Sequence, residues 1–419
     1  MKMKKMTKLL CLVLCLAMLF SLAACASNEQ TTSEDTSADT SADTSTDAAD
    51  DSAAADDSAD AGTDGDKTVY LGLIGPMTGD YANYGTSTRD GAQIAVDEIN
   101  EAGGVNGYTF VLDAQDSQGD PDSAVSAYGK LMDSGMDVSL GCVLSGEAQS
   151  VITAAVEDGI LIVTPTSSAV ACIQGNPNAF RVCFNDAAQG TAAADYIADN
   201  NLGTKIAVFY QSDIDYSAGL YETFQTEAAA RGLEIVEEQT FTAGSATDFS
   251  TQINAIRDSG CDVVFLPIYA AEASTFLTQA QGKLDDVLYF GVDGLDGIQT
   301  KVSDTSLIEG LMMLTPFAAD AQDEATQSFV EKYLPIHDNI APDQFAADGY
   351  DAVYIVKAAM EQCGKTPEDA DFNEAMVAAM YEITVEGLTG TMTWDENNEP
   401  NKPAKAMVFE DGVAKLFAE

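Results

Sequence analysis

The sequence predicts an α/β protein of two lobes, each a parallel sheet covered on both faces by helices, and three observations carry that reading. About 350 residues, Lys67 to Glu419, follow an amino-terminal leader and a polar stretch, too many for one typical core. Short apolar runs rich in Val, Ile, Leu and aromatics alternate with amphipathic helical patterns along this body. Strand, helix and strand repeated in that rhythm give parallel strands joined by right-handed crossovers.

The leader comes first. Met1 to Lys8 is basic, Leu9 to Leu22 is apolar, and Leu22-Ala23-Ala24-Cys25 closes the segment with small residues. A charged start before an apolar run too short to span a bilayer in comfort is an export signal rather than a membrane helix. The residues before Cys25 resemble a bacterial lipoprotein cleavage site, which implies lipidation of the Cys25 sulfur; an ordinary signal peptide with an incidental cysteine is the alternative. From Ala26 to Asp66 the chain holds thirteen acidic residues and no Lys, Arg, aromatic or branched aliphatic residue. Such a segment cannot bury a core and is expected to be a disordered tether, reaching roughly 35 Å.

In the body, strands are expected at Val69 to Ile74, Thr109 to Ala114, Val138 to Leu144, Ile160 to Val163, Ile206 to Tyr210, Ile235 to Phe241, Val263 to Ile268 and Val287 to Val292. The clearest helix is Ser87 to Glu101, with Ala92, Ala95, Val96 and Ile99 on one face and Gly103-Gly104 as its stop. Another runs from about Asp248 to Asp258, with Phe249, Ile253 and Ile256 together.

Ligands of parallel sheets bind beyond the carboxyl ends of the strands. There, Gly75-Pro76-Met77-Thr78-Gly79 and Tyr84-Gly85 follow strand one, Ser145-Gly146-Glu147 strand three, and Pro165-Thr166-Ser167-Ser168 strand four. In the second half Tyr210 leads to Asp213 and Tyr216, Ile268 to Tyr269, and Val292 to Asp293-Gly294. Hydroxyls from one half and aromatics with a carboxylate from the other suit a small zwitterion held in a cleft. Ser145, Thr166 and Ser168 equally suit helix caps, Asp293-Gly294 an ordinary turn, and Tyr216 and Tyr269 a core or rim.

A formal net charge of −49 opposes nucleic acid and anionic membrane surfaces, leaving a small neutral or zwitterionic solute, or a protein, as partner. Beyond Cys25 there are five cysteines, Cys142, Cys172, Cys183, Cys261 and Cys363, without Cys-x-x-Cys metal spacing. Cys172 and Cys183 bracket a Gln-Gly-Asn-Pro-Asn turn, so a disulfide between them is one option and free thiols the other. Catalysis is not expected. The sole histidine, His337, lies in Tyr333-Leu334-Pro335-Ile336-His337-Asp338, a helix end and loop, and there is no nucleophile elbow, metal cluster, phosphate loop or dinucleotide fingerprint. No cofactor is expected either.

From Val69 to Phe417 the chain resembles the periplasmic leucine/isoleucine/valine-binding family, type I solute-binding lipoproteins of branched-chain amino acid ABC transporters. The resemblance rests on Ile74-Gly75-Pro76-Met77-Thr78-Gly79, Tyr84-Gly85, Gly91-Ala92, Ile99-Asn100-Glu101-Ala102-Gly103-Gly104-Val105-Asn106-Gly107, Gly159-Ile160-Leu161-Ile162-Val163-Thr164-Pro165, Phe180-Arg181-Val182, Asp248-Phe249-Ser250, Glu309-Gly310 and Thr391-Met392-Thr393-Trp394-Asp395, in that order. It implies the type I periplasmic binding protein fold with a three-crossover hinge near Cys183 to Asp186, Thr315 to Phe317 and Thr391 to Asp395. It also implies an amino-terminal lobe of 67–183 plus 317–390 and a second lobe of 184–316 plus 391–419.

By the same resemblance Ser145 and Ser168 hold a ligand carboxylate, the Thr166 carbonyl and Asp293 its ammonium, Tyr216 and Tyr269 line the second lobe, and Tyr84 sits at the mouth. The family uses Thr where Ser168 stands and usually Glu where Asp293 stands. Glu147 departs from the usual glycine-serine pair and is expected to narrow the cleft or meet a polar ligand. The expected function is an extracytoplasmic, lipid-anchored, monomeric binding protein. It would capture an amino acid, a branched-chain one by family default, through hinge closure and deliver it to an ABC permease. A sensor lipoprotein for a small amide, urea-like or other non-amino-acid solute is the alternative.

Overall fold

A computed structural model describes residues 67–417; the leader, Cys25 and the acidic tether lie outside the described residues. The first sheet is built from β1 (Thr68–Gly75), β2 (Thr109–Asp116), β3 (Val138–Cys142), β4 (Ile162–Thr164) and β5 (Ala179–Arg181) in the order β2-β1-β3-β4-β5, every pair parallel. Val69, Leu71, Leu73 and Ile74 of β1 and all of β3 are buried, because a strand covered by helices on both faces needs apolar residues on both faces.

The second sheet holds β6 (Lys205–Gln211), β7 (Glu234–Phe241), β8 (Val263–Leu266), β9 (Leu288–Gly291), β10 (Met312–Thr315), β13 (Lys405–Glu410) and β14 (Val413–Leu416) in the order β14-β13-β10-β9-β8-β6-β7. Five strands are parallel and β13 and β14 close one edge antiparallel. A two-stranded ribbon, β11 (Val385–Gly387) with β12 (Gly390–Met392), stands apart.

The helices are α1 (Ala82–Glu101), α2 (Pro121–Asp133), α3 (Ser145–Ala155), α4 (Asp186–Asp199), α5 (Asp215–Arg231), α6 (Ser250–Ser259), α7 (Ala270–Ala280), α8 (Glu324–Tyr333), α9 (Gln344–Cys363) and α10 (Phe372–Met380). Ala92, Ala95, Val96 and Ile99 do form the buried face of α1. The helix nevertheless starts at Ala82, five residues before the expected Ser87, so Tyr84 is a buried helical residue rather than part of a loop. The strand expected to run to Leu144 stops at Cys142, and Leu144, still extended, serves as the N-cap of α3.

The chain passes between the sheets three times, after β5, after β10 and after β12, so α8, α9 and α10 return to the first sheet although they follow strands of the second. Helices α1 and α9 pack backbone to backbone. A Cβ on Gly91 would lie 1.8 Å from the Ala346 carbonyl oxygen, and one on Gly349 would lie 2.2 Å from that of Thr88.

The disulfide option is not realised, since Cys172 and Cys183 are both free and buried. The Cys172 thiol points to the Ser145 carbonyl at 3.5 Å, and the Cys183 thiol lies among the charges of Arg181, Asp348, Asp293 and Lys402. Burial pushes both thiols up, Cys172 to about 12.

Candidate functional site

The carboxyl ends of the two sheets face one another, and the residues there are set by how each strand hands over to its helix. Ser145 is the first residue of α3, and its hydroxyl accepts the Ala169 N–H at 3.1 Å. The Thr166 and Ser167 hydroxyls reach back across the end of β3, to the Val143 carbonyl at 2.8 Å and the Cys142 carbonyl at 2.6 Å. The helix-cap reading of Thr166 therefore does not hold: its hydroxyl ties two strand ends together. Ser168 follows, buried beside Asp186 and Asp293.

Opposite stands Asp293, in the 3₁₀ turn Asp293–Leu295 that leaves β9. Its Oδ1 accepts the Tyr216 hydroxyl at 2.6 Å and its Oδ2 the Gln189 side-chain amide at 2.9 Å. Tyr216, at the start of α5, stacks flat on Tyr269, with centroids 4.5 Å apart and 3° between planes. Tyr84 comes from the first lobe. Its hydroxyl donates to the Gly294 carbonyl at 2.7 Å and accepts the Ala270 N–H at 2.7 Å, while its ring meets Phe345 edge-on at 4.7 Å. At the mouth the Tyr81 hydroxyl donates to Glu272 at 2.8 Å, again from one lobe to the other.

All seven expected residues, Tyr84, Ser145, Thr166, Ser168, Tyr216, Tyr269 and Asp293, line one cavity together with Val143, Leu144, Gly294 and Phe345. Measured to the centre of a water-sized sphere it holds about 10 Å³, room for one water, so this is a closed cleft whose groups satisfy one another. A groove of about 410 Å³ adjoins it, sharing Leu144, Tyr216 and Tyr269 and lined further by Tyr81, Gln149 and Asp213.

Glu147 stands outside the small cavity but lines the adjoining groove, where a polar ligand side chain would meet it. Its carboxylate accepts the Ser117 hydroxyl at 2.6 Å and the Leu144 N–H at 3.4 Å, fastening the start of α3, and burial pushes it up to about 7.

Three buried partners of the cavity were not anticipated. Asp186, the first residue of α4, is 2% exposed, and the Ser168 hydroxyl beside it is the one side-chain donor acting on its carboxylate, without full hydrogen-bond geometry. Burial, and then the charge of Asp293, raise it well above the carboxylate range; burial also raises Asp293, against the hydrogen bonds from Tyr216 and Gln189. Gln189 and Phe345 are the other two. In sequence Asp186 looks like any acidic residue in a helix's first turn, and only the crossing after β5 brings it under Ser168.

Nearby, the 0% exposed guanidinium of Arg181 is fully engaged, by the Ser167 carbonyl, the Ala169 carbonyl at 3.0 Å and Glu399 at 2.9 Å. Lys402 is spent on Asp348 at 2.7 Å. The cavity thus pairs hydroxyls and helix-end amides with two buried carboxyl groups, an arrangement that can hold a molecule carrying both an anionic and a cationic end. His337 takes no part, being paired with Asp90 at 2.6 Å and stacked on Tyr333. Among the described residues no group of His, Cys, Asp and Glu could hold a metal ion, and no helix is long and apolar enough to cross a membrane.

Two lobes, three crossings and a polar cleft at the strand ends define a solute-binding protein of the type I periplasmic kind. A model of the periplasmic binding protein family matches residues 68–413, and the chain belongs to that family. It is 31% identical over 333 residues to the Leu/Ile/Val-binding protein BraC3 of Rhizobium johnstonii, covering 79% of this chain and 88% of that one. It is 29% identical over 341 residues to Leu/Ile/Val-binding protein homolog 3 of Brucella melitensis, covering 80% and 89%. Among solved structures, the branched-chain amino acid transporter substrate-binding protein LivJ of Streptococcus pneumoniae, in complex with isoleucine, superposes with a TM-score of 0.76 at 25% identity over 84% of this chain and 99% of that one. The leucine-binding protein LivK of Thermotoga maritima gives 0.75 at 25% identity, over 84% and 98%. A Rhodopseudomonas palustris solute-binding protein in complex with benzoate shares the fold, with a TM-score of 0.74 at 22% identity.

Proposed function

We propose that this protein is the extracytoplasmic binding component of an ABC importer, anchored through lipid on Cys25, and that it captures an amino acid, most suitably a branched aliphatic one. Two lobes, limited at 67–183 plus 317–390 and 184–316 plus 391–419, would close on the ligand and present the closed form to a permease. The observation that carries this reading is the pairing across the cleft of Ser145, Thr166 and Ser168 with Asp293. The Ser145 hydroxyl and the amides at the start of α3 suit a carboxylate, and Asp293 with the Thr166 carbonyl suits an ammonium. Asp186 adds a second buried carboxyl at that end. The stacked pair Tyr216–Tyr269, with Tyr84 and Phe345, supplies an apolar wall for an aliphatic side chain, whose far end would reach the adjoining groove. The names of the relatives and the isoleucine held by LivJ support the same class of ligand. A benzoate has no cationic end to offer the two carboxyl groups, so a bare aryl carboxylate is disfavoured here.

The test is thermal unfolding of purified protein, stripped of co-purified ligand, against L-amino acids, small amides and benzoate. Ligand at 100 times its Kd should add about 2.7 kcal/mol of stability. A rise with leucine, isoleucine or valine supports the reading. A rise with benzoate or an amide alone would overturn it.

A further inference from the structure

Behind the ligand cavity, the turn that presents Asp293 ends at Asp296, and there the second lobe brings a buried carboxyl beside one from the first. Asp343 is the N-cap of α9, its Oδ1 accepting the Ala346 N–H at 3.0 Å and its Oδ2 the Ser87 hydroxyl at 3.0 Å. Next to it, the Gln344 N–H donates to Asp296 Oδ2 at 2.8 Å, and the Gln344 side chain donates to the Asp293 carbonyl at 3.0 Å. Thr315, at the second crossing, donates to the same Asp296 oxygen at 3.3 Å. A Cβ on Gly297 would stand 3.1 Å from Asp343 Oδ2, so that carboxyl abuts the peptide joining Asp296 to Gly297. The two residues are 5% and 7% exposed.

The groups around the pair are few. Helix α1 offers the Ser87 hydroxyl and Asp90; α8 offers Tyr333, whose hydroxyl donates to Ser87 at 3.1 Å; the turn after α8 offers His337. His337 is held by Asp90 of its own lobe, a pairing that lobe rotation leaves intact. Among the largest influences on the two carboxyls, the counter-charge is His337, which acts to lower Asp343. Two buried carboxyls side by side cannot both ionise cheaply, even with Asp296 also lining a cavity of about 440 Å³, so the pair keeps a proton while the lobes are together. Opening separates and wets them, and the proton is released.

We propose that Asp296 and Asp343 form a proton-sharing latch across the hinge, which makes cleft closure take up a proton and therefore favours the closed form at lower pH. Nothing about the ligand enters this argument; it rests only on the lobe closure of the proposed function. The direction follows from the raised carboxyls of the closed state. Burial and their mutual charge lift the two carboxyls together, against their hydrogen bonds, so the pair holds a proton up to values between about 6 and about 8. The closed form is thus supported below these values and loses that support as pH rises through them. Affinity for a cleft ligand should weaken by up to about tenfold per pH unit in this window.

The experiment uses the purified protein with Asp296→Asn and, separately, Asp343→Asn. Asparagine still accepts the Gln344 N–H at one site and still caps α9 at the other. Small-angle X-ray scattering of ligand-free protein reads the open and closed populations between about pH 6 and about pH 8, and calorimetry reads leucine affinity over the same window. The natural protein should shift toward the open form as pH rises, and both variants should lose most of that shift. Because Glu147, Asp348, Asp186 and Asp293 are also raised, the difference between natural protein and variants is the readout. Retention of the natural pH slope in both variants would overturn the latch, as would a natural protein that stays put. If Asp296→Asn does not fold, Asp343→Asn carries the same comparison. If no amino acid binds, scattering still decides the latch while the ligand reading falls.

Discussion

Asp293 is the residue on which the proposed ligand chemistry turns, because Tyr216 and Gln189 orient both its oxygens. Asp293→Ala should weaken amino acid binding by about 2–5 kcal/mol, measured by calorimetry, with the fold intact by circular dichroism. Unchanged affinity would remove Asp293 from the site. Asp186→Asn is expected to weaken binding less, since Asp186 makes no fixed hydrogen bond that would aim it. Glu147 gives a test of stability rather than binding. Its folded-state value lies above the unfolded one, so its contribution is complete below about pH 4.5 and is lost as pH rises through about 7. Between those limits the natural protein should lose roughly 3 kcal/mol at most, and Glu147→Gln should flatten that loss in urea titrations. Residues such as Ser145, Thr166, Ser168 and Asp293 were legible because each sits just past a strand that its own apolar run announces. Asp186, Gln189 and Phe345 were not, since what makes them part of the site is contact over long separations, 104 residues between Gln189 and Asp293.

Secondary structure elements were read unevenly, for physical reasons. The long parallel strands stood out as apolar runs, whereas β5 and β10 are three and four residues long and owe their pairing to neighbours. The hairpin β13–β14 carries its signal in the turn: Asp411-Gly412, with φ of 54° and 76°, is the Asp-Gly pair favoured by tight two-residue turns. Helix α9 is buried on nearly every side at its start, so it shows little amphipathic contrast. Its contact with α1 yields the prediction for this scale. Gly91→Ala or Gly349→Ala would drive a methyl into backbone carbonyls, costing about 1–3 kcal/mol by overpacking. The expected outcome is a lower melting temperature for either variant, with Gly146→Ala, whose added methyl meets nothing within 4 Å, as the neutral control.

At the scale of the molecule, the three crossings join the two lobes through contacts that are polar and largely buried. Arg181 at the first crossing is tied to Glu399 after the third, and the Trp394 indole N–H donates to the Arg181 carbonyl at 2.8 Å. Arg181→Met would leave Glu399 and the Ser167 and Ala169 carbonyls without their donor, a loss of about 3 kcal/mol or more. The same variant should alter the emission of Trp394, the single tryptophan, because it sits on that joint.

Tyr84 carries a further meaning once the protein is thought of as a carrier that must let go. Its hydroxyl fastens the first lobe to the Gly294 carbonyl and the Ala270 N–H without needing any solute between them. Two such neutral bonds are worth about 1–3 kcal/mol together. Under the function proposed above, residence time would depend on this clasp as well as on the cargo's own grip, and release would require one tyrosine to be prised loose.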